Sequence, residues 1–132
     1  MTIKTSFKKT TLPRIQFEVR DTNGIQSDVL VSLEWDPYYL CPCSATEGAR
    51  LVGNRIEWPG QSISEDGKLF SVSFACERPG TANTRCRAVG TDSDSKAARV
   101  TCPSRLDEPS VYECGGVPNG DIPLPTDCQP NP

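Results

Sequence analysis

The chain has no histidine among its 132 residues. This removes Ser-His-Asp and Cys-His nucleophile pairs, histidine general bases and histidine metal ligands. The close acidic pairs that remain lie in polar, turn-like segments: Glu65-Asp66, Asp92-x-Asp94 and Asp107-Glu108. Nothing assembles a nucleophile, a base and an oxyanion site. The sequence therefore predicts a protein that is not an enzyme and uses no cofactor.

Long apolar runs and a basic surplus are also missing. No run approaches the ~18 apolar residues that span a bilayer, so we expect no membrane span. The net charge is −3, and no basic stripe is interleaved with aromatic residues, so we expect no nucleic-acid partner. The start of the chain lacks the apolar stretch of a secretory signal peptide. This favours synthesis in the cytoplasm.

The chain is rich in cysteine, proline and glycine but has few apolar residues. Apolar residues make up 36% of the chain, below the roughly 45–50% usual for globular proteins. The 12 prolines and 10 glycines require many turns, and the 7 cysteines suit a thin core that needs covalent staples. Such cysteine density is typical of proteins that function in an oxidising, extracellular environment.

Alternating apolar residues predict strands, and helical periodicity is nearly absent. The clearest runs are 15–19, 29–35 and 70–76. We expect the first two to pair as a hairpin, Gly53-Asn54 to form a tight turn, and Trp35 to lie in the core. The predicted fold class is all-β: a small antiparallel β-sandwich or barrel of about seven to eight short strands, stapled by disulfides.

The ends of the chain differ in composition from its middle. Residues 1–12 are predicted to form an extended basic N-terminal arm, and residues 13–114 the β-rich domain. Residues 115–132 form a Pro/Gly-rich acidic tail with 5 prolines, which excludes a helix or central strand. Cys128 near its end predicts that the tail is pinned to the domain.

Cys41 and Cys43 are separated only by Pro42. A disulfide between them would close a strained small ring, and a C-x-x-C redox motif is absent. A zinc knuckle would need a second close pair, which the other cysteines do not supply: Cys76, Cys86, Cys102, Cys114 and Cys128.

We therefore expect Cys41 and Cys43 to bind different partners, with three disulfides and one remaining thiol in the chain. Sequence proximity suggests Cys76–Cys86 and Cys102–Cys114, with Cys128 bonded to Cys41 or Cys43. The remaining thiol is then either buried or available for a bond between chains.

Candidate partner contacts combine charge and aromatic surface. They are the arm lysines and the aromatic residues near turns: Lys4, Lys8, Lys9, Tyr38, Tyr39 and Trp58.

Three functions fit these features. The first is a structural protein of an extracellular particle, such as a virion component of bacteriophage type: a capsid, cement (decoration) or tail protein. It would be made in the cytoplasm, oxidise after release, and contact other protein subunits through its arms, as a homo-oligomer or within a multi-protein assembly. The second is a secreted disulfide-rich binding module or inhibitor whose signal peptide has been removed. The third is an intracellular zinc-binding interaction domain with reduced cysteines.

Overall fold

The computed structural model describes residues 3–9, 14–21, 26–91, 97–108 and 110–128, with the backbone alone for 3–9, 26, 91 and 97–106. None of these residues is helical, and ten strands form two antiparallel sheets. The strands are β1 (Ile3–Lys9), β2 (Arg14–Asp21), β3 (Gln26–Trp35), β4 (Leu40–Thr46), β5 (Arg50–Val52), β6 (Arg55–Ile63), β7 (Lys68–Cys76), β8 (Gly80–Thr91), β9 (Ala97–Glu108) and β10 (Asp121–Pro123).

Each sheet has five strands. The first sheet has the order β1-β2-β7-β4-β10, and the second has the order β5-β6-β3-β8-β9. The edge strands β1 and β9 lie against each other, and the opposite edges, β10 and β5, are only three residues long. Short or covered edges limit uncontrolled pairing with other chains. The predicted all-β fold class is confirmed.

The core lies between the sheets and is rich in aromatic rings. Phe17 and Phe70 of the first sheet stack at 5.6 Å, and Trp58 of the second sheet packs against them at 6.0 and 5.0 Å. Trp35 packs against Phe74 at 6.2 Å, as expected for a core residue. The buried Trp58 Nε1 donates to Thr46 O at 2.9 Å, so its polar atom is satisfied.

The expected hairpin between runs 15–19 and 29–35 is wrong. β2 pairs with β1 and β7 in the first sheet, whereas β3 pairs with β6 and β8 in the second. Alternation identifies the buried face of a strand but not its neighbour. Because the two strands face one core from opposite sheets, they show the same pattern. The Gly53-Asn54 turn is confirmed: it joins β5 to β6, and Gly53 has a φ of 58°.

Three strands were not expected from the sequence. β1 occupies most of the segment predicted as an N-terminal arm and pairs along its whole length with β2. β4 contains Pro42 and an irregular register between Pro42 and Ser44, so it shows no clean alternation. β10 lies in the proline-rich tail. Residues 110–114 form no strand, and their pairing is limited to one bridge between Cys76 and Tyr112.

The described part of the chain contains no helix with the length and apolar character needed to cross a membrane.

Trp58→Ala tests the aromatic core. The side chain is fully buried, so we expect its loss to lower the free energy of unfolding by about 3–5 kcal/mol. Urea denaturation followed by the fluorescence of Trp35 measures this change. Leu69→Ala, at a position 53% exposed, is the control and should change stability by less than about 0.5 kcal/mol. Equal effects of the two variants would contradict the assigned core.

Candidate functional site

Two disulfides begin on β4, and one ends in the C-terminal tail while the other ends at the residue just before it. Cys41 bonds to Cys128 and Cys43 bonds to Cys114, with Cα–Cα distances of 6.2 and 5.7 Å. The expectation that Cys41 and Cys43 have different partners is confirmed, and Cys128 takes one of its two expected partners. These cysteines therefore do not form the zinc knuckle considered above.

Two of the suggested pairings are wrong. Cys114 bonds to Cys43 rather than to Cys102. Cys76 does not bond to Cys86: it is buried at the end of β7, and its thiol donates to Arg78 O at 3.1 Å. Cys86 is disulfide-bonded, and Cys102 lies opposite it in the β8–β9 register. Proximity along the chain failed as a guide because sheet order decides which strands are neighbours.

The tail continues the edge of the first sheet alongside β4. β10 pairs with Ser44–Thr46, after which Leu124 N donates to Cys43 O at 2.9 Å and Thr126 Oγ1 donates to Pro42 O at 2.8 Å. The expectation of a pinned tail is confirmed. The tail is therefore part of the sheet rather than a detached appendage.

A polar cluster fastens the tail to the outer side of the same sheet. The Arg14 guanidinium donates to Ser71 Oγ at 2.6 Å and to Asp121 Oδ1 at 3.1 Å, and Ser71 N donates to Thr46 Oγ1 at 2.8 Å. The Asp121 side chain is only 2% exposed. Burial raises the pKa of its carboxyl, and the charge of Arg14 opposes this rise. The cluster links β2, β7, β4 and β10, which is a structural role.

Beside these attachments, two turns lie next to each other. In the turn that links β3 to β4, Asp36 Oδ1 accepts from Tyr38 N at 3.1 Å. In the turn that links β7 to β8, Glu77 N donates to Tyr39 O at 2.8 Å. A Cβ on Gly80 would approach the Tyr39 ring to 2.6 Å, so only glycine allows this close contact.

The two turns present an exposed tyrosine and arginine. The Tyr38 side chain is 58% exposed, and the Arg78 guanidinium carbon lies 4.5 Å from the centre of its ring. Arg78 Nε also donates to Tyr38 O at 3.2 Å, and the Tyr39 ring meets Tyr38 edge-on at 4.9 Å. We call Tyr38, Tyr39 and Arg78 the Tyr–Arg surface. Stacking and hydrogen bonding hold its side chains in place before any partner arrives.

The candidate contact residues differ in their exposure to solvent. Tyr38 is exposed as expected, and Tyr39 is half-buried. The prediction that Trp58 is a surface anchor is wrong, because its ring is fully buried. Pro59-Gly60 suggested a turn after Trp58, but β6 continues through both residues. The side chains of Lys4, Lys8 and Lys9 lie outside the part of the structure that is described.

Sequence reasoning missed Arg78. The segment Arg78-Pro79-Gly80 indicates a turn, and nothing in it identifies a tyrosine forty residues earlier as the stacking partner. The signal lies only in the juxtaposition of two turns that the sheet order brings together.

Comparison of the chain with protein-family models found no match, and comparison with curated proteins found no relative. The functional interpretation therefore depends on the residues and geometry described above.

Asp121→Asn tests the polar cluster through its pH dependence. Because burial raises the native pKa of Asp121, the folded chain binds this proton more tightly than the unfolded chain. The stabilisation that this bound proton provides is fully present below the ordinary aspartate pKa of about 3.9. It is lost as the pH rises through the pKa of Asp121 in the folded chain. The variant should therefore gain stability relative to the unmodified protein between pH 3 and pH 7, as measured by urea denaturation.

Asp66→Asn, in the exposed turn between β6 and β7, controls for the loss of a surface carboxyl. The measured quantity is the difference in free energy of unfolding between Asp121→Asn and the unmodified protein. If this difference stays constant with pH, or increasingly favours the unmodified protein as the pH rises, then the charge of Arg14 rather than burial controls the pKa of Asp121.

Proposed function

We propose that the protein is a non-enzymatic structural protein that assembles with other protein subunits through the Tyr–Arg surface. The observation that carries this proposal is the exposed Tyr38 ring stacked with Arg78 on two hydrogen-bonded turns. Tyrosine and arginine are enriched among the residues that contribute most to binding at protein interfaces. A side-chain pair that is already ordered loses little conformational entropy when it binds.

The cysteines support a working environment outside the reducing cytosol. Cys41, Cys43, Cys86, Cys114 and Cys128 are all in disulfides, and disulfides persist in oxidising surroundings. We place the protein in an extracellular particle, a virion component of bacteriophage type that is made in the cytoplasm and oxidises after release. A capsid, decoration or tail protein fits, since each forms repeated contacts with identical or different subunits.

The test compares self-association of matched variants. Tyr38→Ala/Arg78→Ala removes the stacked pair, and Leu69→Ala/Arg85→Ala removes an exposed apolar residue and an exposed arginine elsewhere. Sedimentation velocity over a range of concentrations measures the dissociation constant. We expect the unmodified protein to form oligomers and the control variant to associate with the same dissociation constant. The Tyr38→Ala/Arg78→Ala variant should associate at least about tenfold more weakly. An unmodified protein that stays monomeric throughout, or equal weakening in both variants, overturns the proposal.

A further inference from the structure

Three potential metal ligands meet where the tail is stapled to β4. The Sγ atoms of Cys41 and Cys128 and a carboxylate oxygen of Glu77 all lie within 4.8 Å of one another. Cys128 Sγ is 3.9 Å from Glu77 Oε1. Within the described ranges this is the one group of three such side chains. The two sulfurs are joined in a disulfide, and in that form they are not thiolate ligands.

We propose that reduction of the Cys41–Cys128 disulfide converts these three residues into a zinc site. Two thiolates and one carboxylate form a ligand set that zinc accepts, with water in the fourth position. Zn–S bonds of about 2.3 Å and Zn–O bonds of about 2.0–2.2 Å place the ligand atoms of a tetrahedral site about 3.6–3.8 Å apart. The two sulfurs and the carboxylate oxygen already lie within 4.8 Å of one another, so this spacing is close to the present one once the disulfide is open.

The surrounding contacts hold the ligands in place without the disulfide. Cys41 lies in β4, where it pairs with Ala75 of β7. The Glu77 backbone is held by its hydrogen bond to Tyr39 O at 2.8 Å. Thr126, two residues before Cys128, donates to Pro42 O at 2.8 Å. Each ligand therefore lies next to a backbone position that is fixed independently. Glu77 is exposed and both cysteines are half-buried, so zinc can enter from solvent.

The conversion balances as an ordinary thiol–disulfide exchange. Two molecules of a small thiol break the Cys41–Cys128 bond, become a disulfide themselves, and transfer two electrons and two protons to the cysteines. Zinc then binds both sulfurs as thiolates and releases the two protons to solvent. The tail thus stays fastened to β4 in either redox state, by zinc in a reducing compartment and by a disulfide in an oxidising one. The site shares the backbone contact between Glu77 and Tyr39 with the Tyr–Arg surface, but it does not depend on the proposed assembly role.

The test loads the full-length chain with Co²⁺ or Zn²⁺, with and without prior reduction, and removes unbound metal by dialysis. Elemental analysis measures the metal per chain, and thiolate-to-cobalt absorption shows whether sulfur is a ligand. We expect about one metal per reduced chain, thiolate absorption, and almost no metal on the oxidised chain. Equal metal on both forms, or none on the reduced chain, overturns the proposal.

Variants identify the ligands. Cys41→Ser/Cys128→Ser should abolish thiolate absorption, and Cys43→Ser/Cys114→Ser should retain it. Glu77→Gln should weaken metal binding at least about tenfold, a loss of the size seen when groups that support a metal site are removed. The matched control Glu47→Gln, an exposed glutamate in another turn, should not weaken it. Binding that survives Cys41→Ser/Cys128→Ser, or responds equally to both glutamate variants, overturns the assignment.

If reduction alone unfolds the chain, circular dichroism still tests the proposal by measuring whether Zn²⁺ refolds it. If adding Zn²⁺ to the reduced, unfolded chain restores the β-sheet signal, the result supports the site. The Cys41→Ser/Cys128→Ser variant should not recover this signal when Zn²⁺ is added. A chain that stays unfolded with Zn²⁺ present counts against it.

Discussion

The two disulfides that Cys41 and Cys43 of β4 form with different cysteines are the constraint on which the rest of the structure depends. The register of β4 is irregular between Pro42 and Ser44, yet each of the two sulfurs reaches its own cysteine near the C-terminus. Their disulfides close sequence separations of 87 and 71 residues. Each long loop closure stabilises a fold by about 2–4 kcal/mol. That contribution is large for a chain in which only 36% of residues are apolar.

The same attachments explain why a surface turn can be rigid. The tail is fixed to β4 at Cys43, at Pro42 and at Cys41, next to the turn that carries Tyr38. The neighbouring turn is fixed by Glu77 N and by the glycine that receives the Tyr39 ring. The proposed contact surface and the proposed zinc site are therefore consequences of one feature, the meeting of β4, the β7–β8 turn and the tail.

Alternation in runs 15–19, 29–35 and 70–76 was enough to predict an all-β sandwich, because each run faces the core with every second residue. It could not predict sheet order, since strands on opposite sides of a core look alike. β4 escaped detection because its proline and cysteines replace an alternating pattern. The exposure of Tyr38 was predictable from its turn. Burial of Trp58 was not, because Pro59-Gly60 resembles a turn, and the stacking of Arg78 depends on contacts distant in sequence.

The most direct test of this account is the disulfide connectivity of the Cys41→Ser variant. Its thiols are alkylated without reduction, and cleavage before Asp121 then separates Cys114 from Cys128 for mass spectrometry. We expect alkylation of Cys128, while Cys114 remains linked to Cys43. Alkylation of Cys114 with Cys128 still linked would mean that the two tail attachments are exchanged, and it would contradict both the tail path along β4 and the zinc ligand set.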